Sequence, residues 1–445
     1  MPPAPVSLGA AARLWARIGC LSFGGPAGQI ALMHDELVVR RRWLDEGRFL
    51  HALNYCMLLP GPEAQQLATY IGWLLHRRRG GLIAGALFVL PGLALIIALA
   101  AAYVTWRDLG WVGGLLFGLK AAVLALVGSA LVRIGARALR RRAQQGVALA
   151  AFAAMAVAAV PVPLIVVGAA VVGLAVHWLR PAALPAPPAL ATTHDDDTVV
   201  GALAAAGGLA HTRRSWRSTG ATAAACLVAW LAPVAALQLL APGSLYAEQA
   251  VMFSGAALVS FGGAYAALAY VGGRAVALGW IAPGQMVDAL GLAETTPGPL
   301  VLVLPFVAFV AAAAVDGLGG GVAAAALAAW VTFAPSFLWI FVGAPSIEAL
   351  RGHRGAHAAL ASITAAVVGV IANLSLWFAL HTLFARLAPV ELGPWTVALP
   401  VWSSVDVGAV VLAAAAMIAT LRWKVHGVWL LAPCAAAGLA WRLLA

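Results

Sequence analysis

SFGGP, residues 22–26, lies within an apolar run and returns as SFGGA, residues 260–264, again within an apolar run. Glycine pairs weaken helices, and a helix that is interrupted in lipid leaves backbone groups that need other partners. A break of this kind therefore has a structural or functional reason. Its repetition indicates that the chain contains the same unit twice.

The composition is that of a membrane protein. Of the 445 residues, 63% are hydrophobic and only 10% are charged, whereas soluble domains carry about 45–50% apolar and about 25% charged residues. The formal charge of +11 comes largely from short arginine clusters between apolar runs, such as Arg40–Arg42 and Arg77–Arg79. Such clusters follow the positive-inside rule, so we expect a lipid bilayer and no nucleic acid as partner.

Apolar runs divide the chain into segments long enough, or nearly long enough, to cross a bilayer. They lie near residues 9–32, 48–75, 80–104, 111–135, 146–160, 162–179, 220–241, 249–272, 284–314, 318–344, 357–385, 405–421 and 425–443. A polar linker with Pro-Ala repeats separates two groups of runs. We predict an N-terminal repeat at 1–180, a linker at 181–219, an extra transmembrane helix at 220–241 and a C-terminal repeat at 242–445.

Further landmarks recur in the same order in the two halves. They are Trp43 with Trp280, Pro60-Gly61-Pro62 with Pro297-Gly298-Pro299, Pro91 with Pro335, and Leu119–Val123 with Ile363–Val367. Repetition in order is typical of a duplicated transporter unit. The sequence therefore predicts an all-α polytopic membrane protein with two homologous repeats.

The run 48–75 has arginine clusters at both ends and breaks at Pro60-Gly61-Pro62 near its midpoint. We expect a re-entrant hairpin or two half-helices there rather than one straight span. If the run 9–32 is also a hairpin, each unit crosses the membrane an even number of times, and helix 220–241 turns the second unit upside down. The arginine count narrowly favours this inverted arrangement over parallel repeats.

The breaks are where we expect the substrate to bind. A half-helix that begins inside the membrane points free N–H groups and the positive end of its dipole at its surroundings, which favours an anion. The candidate residues are Gly24, Gly25, Pro26, Pro60, Gly61, Pro62, Gly262, Gly263, Pro297, Gly298 and Pro299, with Asn54, Gln66 and Thr296 as weaker candidates. The alternative is that these glycines and prolines only form kinks for helix packing.

Lys120 lies well inside the apolar run 111–135. A lysine at this depth is costly, so it normally faces the protein interior and meets a partner. Its repeat equivalent Thr364 is uncharged, and we therefore place anion selectivity in the first unit. The alternatives are a lysine that reaches toward the interface and a structural pair with a carboxylate.

Two carboxylates adjoin the breaks and are candidate proton carriers, because a buried carboxyl group can carry a proton across the membrane. Glu294 precedes Pro297, and Glu63 follows Pro62, where an acid would also complement the dipole of the next helix. The cysteines form no CxxC pair, and the His-Asp tract at 194–197 lies in the linker. We therefore expect neither a metal nor a cofactor.

Three stretches of the first half resemble the chromate ion transporter family, in its long form with two homologous domains. They are SFGGPAGQIALMHDELVVRRRWLDEGRFLHAL at 22–53, LLPGPEAQQLATYIGW at 58–73 and FVLPG at 88–92, and VSFGGAYAALAYV with ETTPGPL resembles the divergent second domain. The resemblance implies a bacterial inner-membrane protein that exports chromate by the proton motive force and confers resistance. It also implies opposite membrane orientations of the two domains. Ala264 departs from the pattern where the first domain has Pro26.

We therefore expect a proton-coupled exporter of a tetrahedral dianion rather than an enzyme. The residues alone do not separate chromate from sulfate or another oxyanion, since chromate and sulfate share charge and shape. A passive channel and a membrane enzyme acting on a lipid phosphate are the rival functions. Such an enzyme would normally need clustered acids for a metal ion or a histidine nucleophile, and the sequence has none beside the breaks. The sequence leaves open whether the protein forms a homo-oligomer.

Overall fold

A computed structural model of the chain describes residues 6–23, 25–57, 59–179, 198–212, 215–261, 264–346, 354–392, 395–425 and 428–444. Within these ranges the chain forms sixteen α-helices and one β-hairpin. Six helices are long and apolar enough to cross a membrane, judged by length and composition. The predicted helical, polytopic fold is confirmed, and the hairpin is an addition that the sequence pattern did not predict.

The first unit contains seven helices. They are α1 (Leu8–Leu21), α2 (Gly25–His34, continued by a π-helical turn at Asp35–Arg40), α3 (Glu46–Cys56), α4 (Glu63–Trp106), α5 (Gly110–Ala138), α6 (Arg142–Ala156) and α7 (Val162–Leu179). A short α8 (Val199–Ala205) and a 3-10 turn (Ala210–Thr212) follow. Helix α9 (Trp216–Leu240) then connects this unit to the second.

The second unit repeats the order of the first. Its helices are α10 (Leu245–Val259), α11 (Ala264–Ala277), α12 (Pro283–Thr295), α13 (Val303–Gly343, preceded by a 3-10 turn at Leu300–Leu302), α14 (Arg354–Leu383), α15 (Val407–Arg422) and α16 (Val428–Leu444). The added hairpin lies between α14 and α15, where β1 (Leu387–Leu392) pairs antiparallel with β2 (Trp395–Pro400).

The four apolar runs that carry the glycine-pair motif or the proline–glycine–proline motif are all interrupted. The run 9–32 is divided between α1 and α2, and the run 48–75 between α3 and α4. In the second unit, 249–272 is divided between α10 and α11, and 284–314 between α12 and the start of α13. Helices of 10 to 14 residues reach only about 15–21 Å, which is roughly half of a bilayer core. The predicted broken helices are therefore present.

Helices α4 and α13 each reverse direction near their first third. Helix α4 has non-helical dihedral angles at His76 and Arg77, and a Cβ placed on Gly72 would clash with the carbonyl oxygen of Gly80. In a straight helix those residues would lie about 12 Å apart. The equivalent reversal in α13 lies at Asp316-Gly317, where Gly317 has φ +67°. Each element is therefore a half-helix followed by a full-length helix, 78–106 or 318–343.

The first unit contains two helical hairpins, α1 with α2 and α3 with the first third of α4. Contacts place the open ends of both hairpins at one end of the molecule. The Nε2 atom of His76, at the reversal of α4, lies 2.8 Å from the carbonyl oxygen of Val6, just before α1. The segment 198–212 hydrogen-bonds the carbonyl oxygens of both Arg42 and Trp73. The entry to α1, the connection after α2 and the reversal of α4 therefore lie together, at what we name the Arg77 end.

The second unit has the same arrangement at the opposite end. Tyr246, at the start of α10, donates a 2.7 Å hydrogen bond to Oδ2 of Asp316 at the reversal of α13. Helix α9 reaches both ends, because Ser218 near its start contacts Arg78, and Gln238 near its end donates to the carbonyl oxygen of Ala247. We name this second location the Asp316 end.

The two units exchange their last helices. Helix α5 packs against α15 and α16 of the second unit, while α14 packs against α6 and α7 of the first. Glycines allow the α5–α16 contact, since a Cβ on Gly118 would clash with the carbonyl oxygen of Cys434, and Gly438 faces Gly118 from the other helix. Small residues let membrane helices approach closely. The exchange therefore joins the units into one body.

The exchange predicts different outcomes for two glycines of α5. Gly118→Val should lower the free energy of unfolding by about 1–3 kcal/mol, because rigid backbone leaves no room for the side chain. Gly113→Val is the matched control on the same helix, since a Cβ there meets nothing within 4 Å. Thermal unfolding of the purified protein in detergent measures both. Equal unfolding temperatures for the two variants would contradict the packing described.

Candidate functional site

The interrupted runs of the two units meet at one crossing of backbone loops. The amide of Gly61 donates to the carbonyl oxygen of Ser260 at 2.9 Å, and the amide of Gly298 donates to the carbonyl oxygen of Ser22, also at 2.9 Å. Each proline–glycine–proline loop is therefore held by the serine that opens the glycine motif of the other unit. We name this place the loop crossing. Equivalent residues make equivalent bonds there, as two repeats related by a pseudo-twofold axis would.

The glycines of the crossing have conformations that other residues adopt at a cost. Gly61 has φ +121° and Gly298 has φ +92°, and Gly25 has φ +71° at the first residue of α2. These angles lie in the left-handed region that favours glycine. The prolines that follow precede new helical turns, since Pro62 is the N-cap of α4 and Pro299 precedes the turn at Leu300–Leu302. The first turns after Pro62 and Pro299 therefore direct N–H groups that have no partner within the helix toward the loop crossing.

The surroundings of the two loops differ in polarity. A Cβ on Gly61 would lie 2.7 Å from Nε2 of Gln66 and 3.0 Å from Oγ of Ser336. A Cβ on Gly298 would instead meet the Leu302 side chain at 3.3 Å and the backbone of Phe88 at 3.5 Å. Polar side chains thus lie closest to Gly61, whereas the groups closest to Gly298 on that side are a leucine side chain and backbone.

Buried side chains near the crossing carry polar atoms without a hydrogen-bond partner among the described residues. Gln29 donates to the carbonyl oxygen of Gly298 at 2.5 Å, and Gln66 donates to that of Pro60 at 2.7 Å, but both Oε1 atoms lack partners. The same holds for Oγ of Ser336 and both polar atoms of Gln65. Buried polar groups are normally satisfied. The Ser336 hydroxyl and the Gln65 amide are donors, which an oxyanion requires.

Lys120 forms an ion pair across the two units. Its Nζ lies 3.3 Å from Oδ1 of Asp288 on α12, and the hydroxyl of Tyr103 donates to Oδ2 of Asp288 at 2.9 Å. The Asp288 side chain is only 6% exposed. Of the possibilities that the sequence left open, this contact is the pair with a carboxylate. The sequence analysis missed Asp288, although an acid within the apolar run 284–314 is itself a signal.

Glu294 and Glu63 occupy different positions around the loops. Glu294, near the end of α12, is buried and accepts a 3.1 Å hydrogen bond from the hydroxyl of Tyr265 on α11. Glu63 is the first residue of α4 and is partly buried, where its charge complements the helix dipole. The structure thus gives Glu294 a phenol partner that the sequence analysis did not identify.

The structure assembles only part of the predicted site. The loops at 60–62 and 297–299 and Gln66 come together, whereas Asn54 is exposed on α3. Thr296 follows α12 and donates to the carbonyl oxygen of Ala293 near the end of that helix. Pro26 lies in the first turn of α2. Gly24, Gly262 and Gly263 lie outside the described residues. The described part of the chain contains no group of three metal-binding side chains.

Known proteins are similar in sequence to this chain over most of its length. The model of the chromate transporter family matches residues 10–174 and 247–439. A chromate transport protein of Pseudomonas aeruginosa is 31% identical over 374 residues, which are 83% of this chain and 80% of that protein. A chromate transport protein of Cupriavidus metallidurans is 28% identical over 362 residues, which are 80% and 78% of the two chains. No solved structure matches the chain.

The ion pair predicts a non-additive pair of substitutions. Lys120→Gln leaves the buried carboxylate of Asp288 unpaired and should lower the free energy of unfolding by about 3 kcal/mol, whereas Asp288→Asn leaves the partly exposed ammonium group of Lys120 unpaired and should cost less. The double variant removes both charges, so it should unfold at a higher temperature than either single variant. Thermal unfolding in detergent measures the cycle. If the decrease in the free energy of unfolding of the double variant equals the sum of the two single decreases, the two side chains are not coupled.

Proposed function

The chain belongs to the chromate transporter family, and we propose that it exports chromate, a tetrahedral dianion, across a bacterial inner membrane by using the proton motive force. The observation that carries the proposal is the loop crossing, where Gly61 binds Ser260 and Gly298 binds Ser22. Two broken helices from each unit meet there, and broken helices at matching positions are the usual place of a transporter's binding site. Resistance to chromate would follow from its export.

The proposed anion site lies on the polar side of the crossing, around the loop of the first unit. The candidate ligands are the free N–H groups at the start of α4 together with Gln65, Gln66 and Ser336. Helix N-termini stabilise negative charge, and they do so more strongly where water is excluded. Chromate and sulfate offer these donors the same oxygen geometry. The names of the relatives favour chromate, and sulfate or another oxyanion is the second candidate.

Lys120 gives the proposed mechanism a link between anion and proton. In the structure its ammonium group pairs with Asp288, so an anion that approaches Lys120 competes with that carboxylate. A proton placed on Asp288 would remove the competing charge and release Lys120 for the substrate. We count Asp288 with Glu63 and Glu294 as candidate proton carriers. A passive channel would need no such group.

We further propose that the two units have opposite orientations in the membrane. The hairpins of the first unit enter from the Arg77 end and those of the second from the Asp316 end, with α9 reaching both. The Arg77 end carries the arginine clusters at 77–79 and 40–42, so the positive-inside rule assigns it to the cytoplasm. The division of the chain at 180, 219 and 241 stays a prediction.

Flux of chromate into proteoliposomes tests the proposed function. Uptake should rise several-fold when a pH gradient is imposed and should fall when a protonophore removes it. Sulfate should compete with chromate, because its charge and shape are the same. Flux that ignores the gradient would indicate a channel, and no flux of either anion would refute oxyanion transport.

Three variants belong in the same flux experiment. Glu294→Gln should make chromate flux insensitive to the pH gradient, since the neutral amide carries no proton. Lys120→Ala should abolish chromate flux while the protein stays in the membrane. Glu391→Gln is the matched control, because Glu391 is exposed on β1. Wild-type coupling in the Glu294 variant would remove that residue from the proton path, and unchanged flux in the Lys120 variant would remove the lysine from the site.

Cysteine labelling tests the orientation of the units. Arg79→Cys and Gly319→Cys, each in a cysteine-free background, mark exposed positions just after the equivalent reversals of α4 and α13. A membrane-impermeant maleimide should label position 319 in whole cells and position 79 only in inverted vesicles. Labelling of both positions from the same side would refute the inversion.

A further inference from the structure

A cavity of about 610 Å³ lies at the Arg77 end, away from the loop crossing. It is bordered by the reversal of α4, the start of α9, the 3-10 turn at Ala210–Thr212 and the end of α13. We name it the Arg77 cavity. On α4, Arg78 precedes Gly92, which packs against the loop crossing, by 14 residues or about 21 Å. The cavity is therefore separate from the proposed transport site.

Among the described residues, the charge that lines the cavity is entirely positive. Arg77, Arg78 and Arg79 all border it, and no acid is among the described residues that line it. One guanidinium group is already oriented, since Nη2 of Arg78 donates to Oγ of Ser218 at 2.7 Å and to its carbonyl oxygen at 3.3 Å. Arginine presents a fork of N–H donors that suits the oxygens of phosphate-like groups. The lining therefore favours a tetrahedral oxyanion group.

The start of α9 adds further donors. Ser215 is the N-cap of this 25-residue helix, but its side chain makes no capping bond, and it lines the cavity together with Ser218. The first N–H groups of a helix have no partner within the helix, and they bind anions readily. Hydroxyls, helix N–H groups and arginines thus border the same space.

Two histidines complete the cavity and point to an occupant. The Nε2 atoms of His76 and His211 are used, because each donates to a carbonyl oxygen, of Val6 and of Trp73. Both Nδ1 atoms are buried and have no partner among the described residues. Burial lowers the pKa of His211, which favours the neutral ring, while backbone hydrogen bonds to Trp73 and Gly208 act in the opposite direction. In the neutral ring Nδ1 is an acceptor, which suits the O–H of a lipid headgroup but not a fully deprotonated dianion.

We propose that the Arg77 cavity binds a tetrahedral oxyanion group, carried either by a free dianion or by the headgroup of an anionic phospholipid. Both sources can reach it. Arg78, Arg79 and Ser218 of its lining are exposed, so free ions have access, and α9 beside it exposes apolar side chains such as Trp216 and Val228 where lipid would lie. A free dianion would make the cavity a second oxyanion site of the transporter, and a lipid would tie α9 to the rest of the first unit.

Binding to the purified full chain in neutral detergent tests the proposal. The probes for calorimetry are sodium sulfate and short-chain phosphatidylglycerol, with short-chain phosphatidylcholine as the uncharged comparison and ionic strength held constant with chloride. At least one anionic probe should bind more tightly than phosphatidylcholine. Sulfate binding alone identifies a free ion, and phosphatidylglycerol binding alone identifies a lipid.

Variants separate this cavity from the loop crossing. Arg78→Gln and Ser218→Ala should each weaken binding of the anionic probe about tenfold or more. Arg137→Gln is the matched control, because Arg137 is an exposed arginine that does not line the cavity. With phosphatidylglycerol as the probe, Lys120→Ala should leave this binding unchanged, whereas sulfate binding, which the loop crossing can share, is compared only between the cavity variants and Arg137→Gln. Equal binding of charged and uncharged lipid without sulfate binding, or affinities that neither cavity variant changes, would overturn the proposal.

Discussion

The fold depends on how a membrane protein satisfies backbone groups where its helices break. Lipid offers no hydrogen bonds, so irregular backbone at that depth persists only against other protein or a polar cavity. Here each unit provides hydrogen-bond acceptors for the broken helices of the other, since the amides of Gly61 and Gly298 donate to the serine carbonyl oxygens of the opposite unit. Neither loop could form these bonds without the other unit. The exchange of the last helices, with α5 against α16 and α14 against α7, makes the same dependence a property of the whole chain.

Symmetry in the backbone coexists with asymmetry in the side chains. Lys120 has no charged counterpart, because Thr364 occupies the equivalent position. Ser336 borders the loop of the first unit. The equivalent position in the other unit is Gly92, and it borders the loop of the second unit. The two units thus form a paired scaffold on which Lys120 and Ser336 are present in only one of two equivalent positions. A single anion site fits this arrangement better than two equal ones.

The buried acids of α12 are paired rather than isolated, and their partners come from different elements. Asp288 of α12 meets Lys120 of α5 and Tyr103 of α4, and Glu294 meets Tyr265. A buried charge is costly without a partner. Such pairs also provide what coupled transport requires, because a proton or an anion that changes one member changes what the other can bind. At the Arg77 end the arginines instead face a cavity whose described lining contains no acid, and this difference is the basis of the proposed second anion site.

The sequence alone determined where the helices break, and it predicted two repeats and an anionic substrate, because these predictions rest on residue identity, order and spacing. Glycine, proline and apolar run length act locally, so they can be interpreted without knowing which segments meet. Only the tertiary structure decided that the loops bind each other's serines, that Asp288 partners Lys120, and that Asn54 faces outward while Ser336 borders Gly61. Those contacts join residues far apart in the chain, and distance in space depends on the packing of all the helices at once.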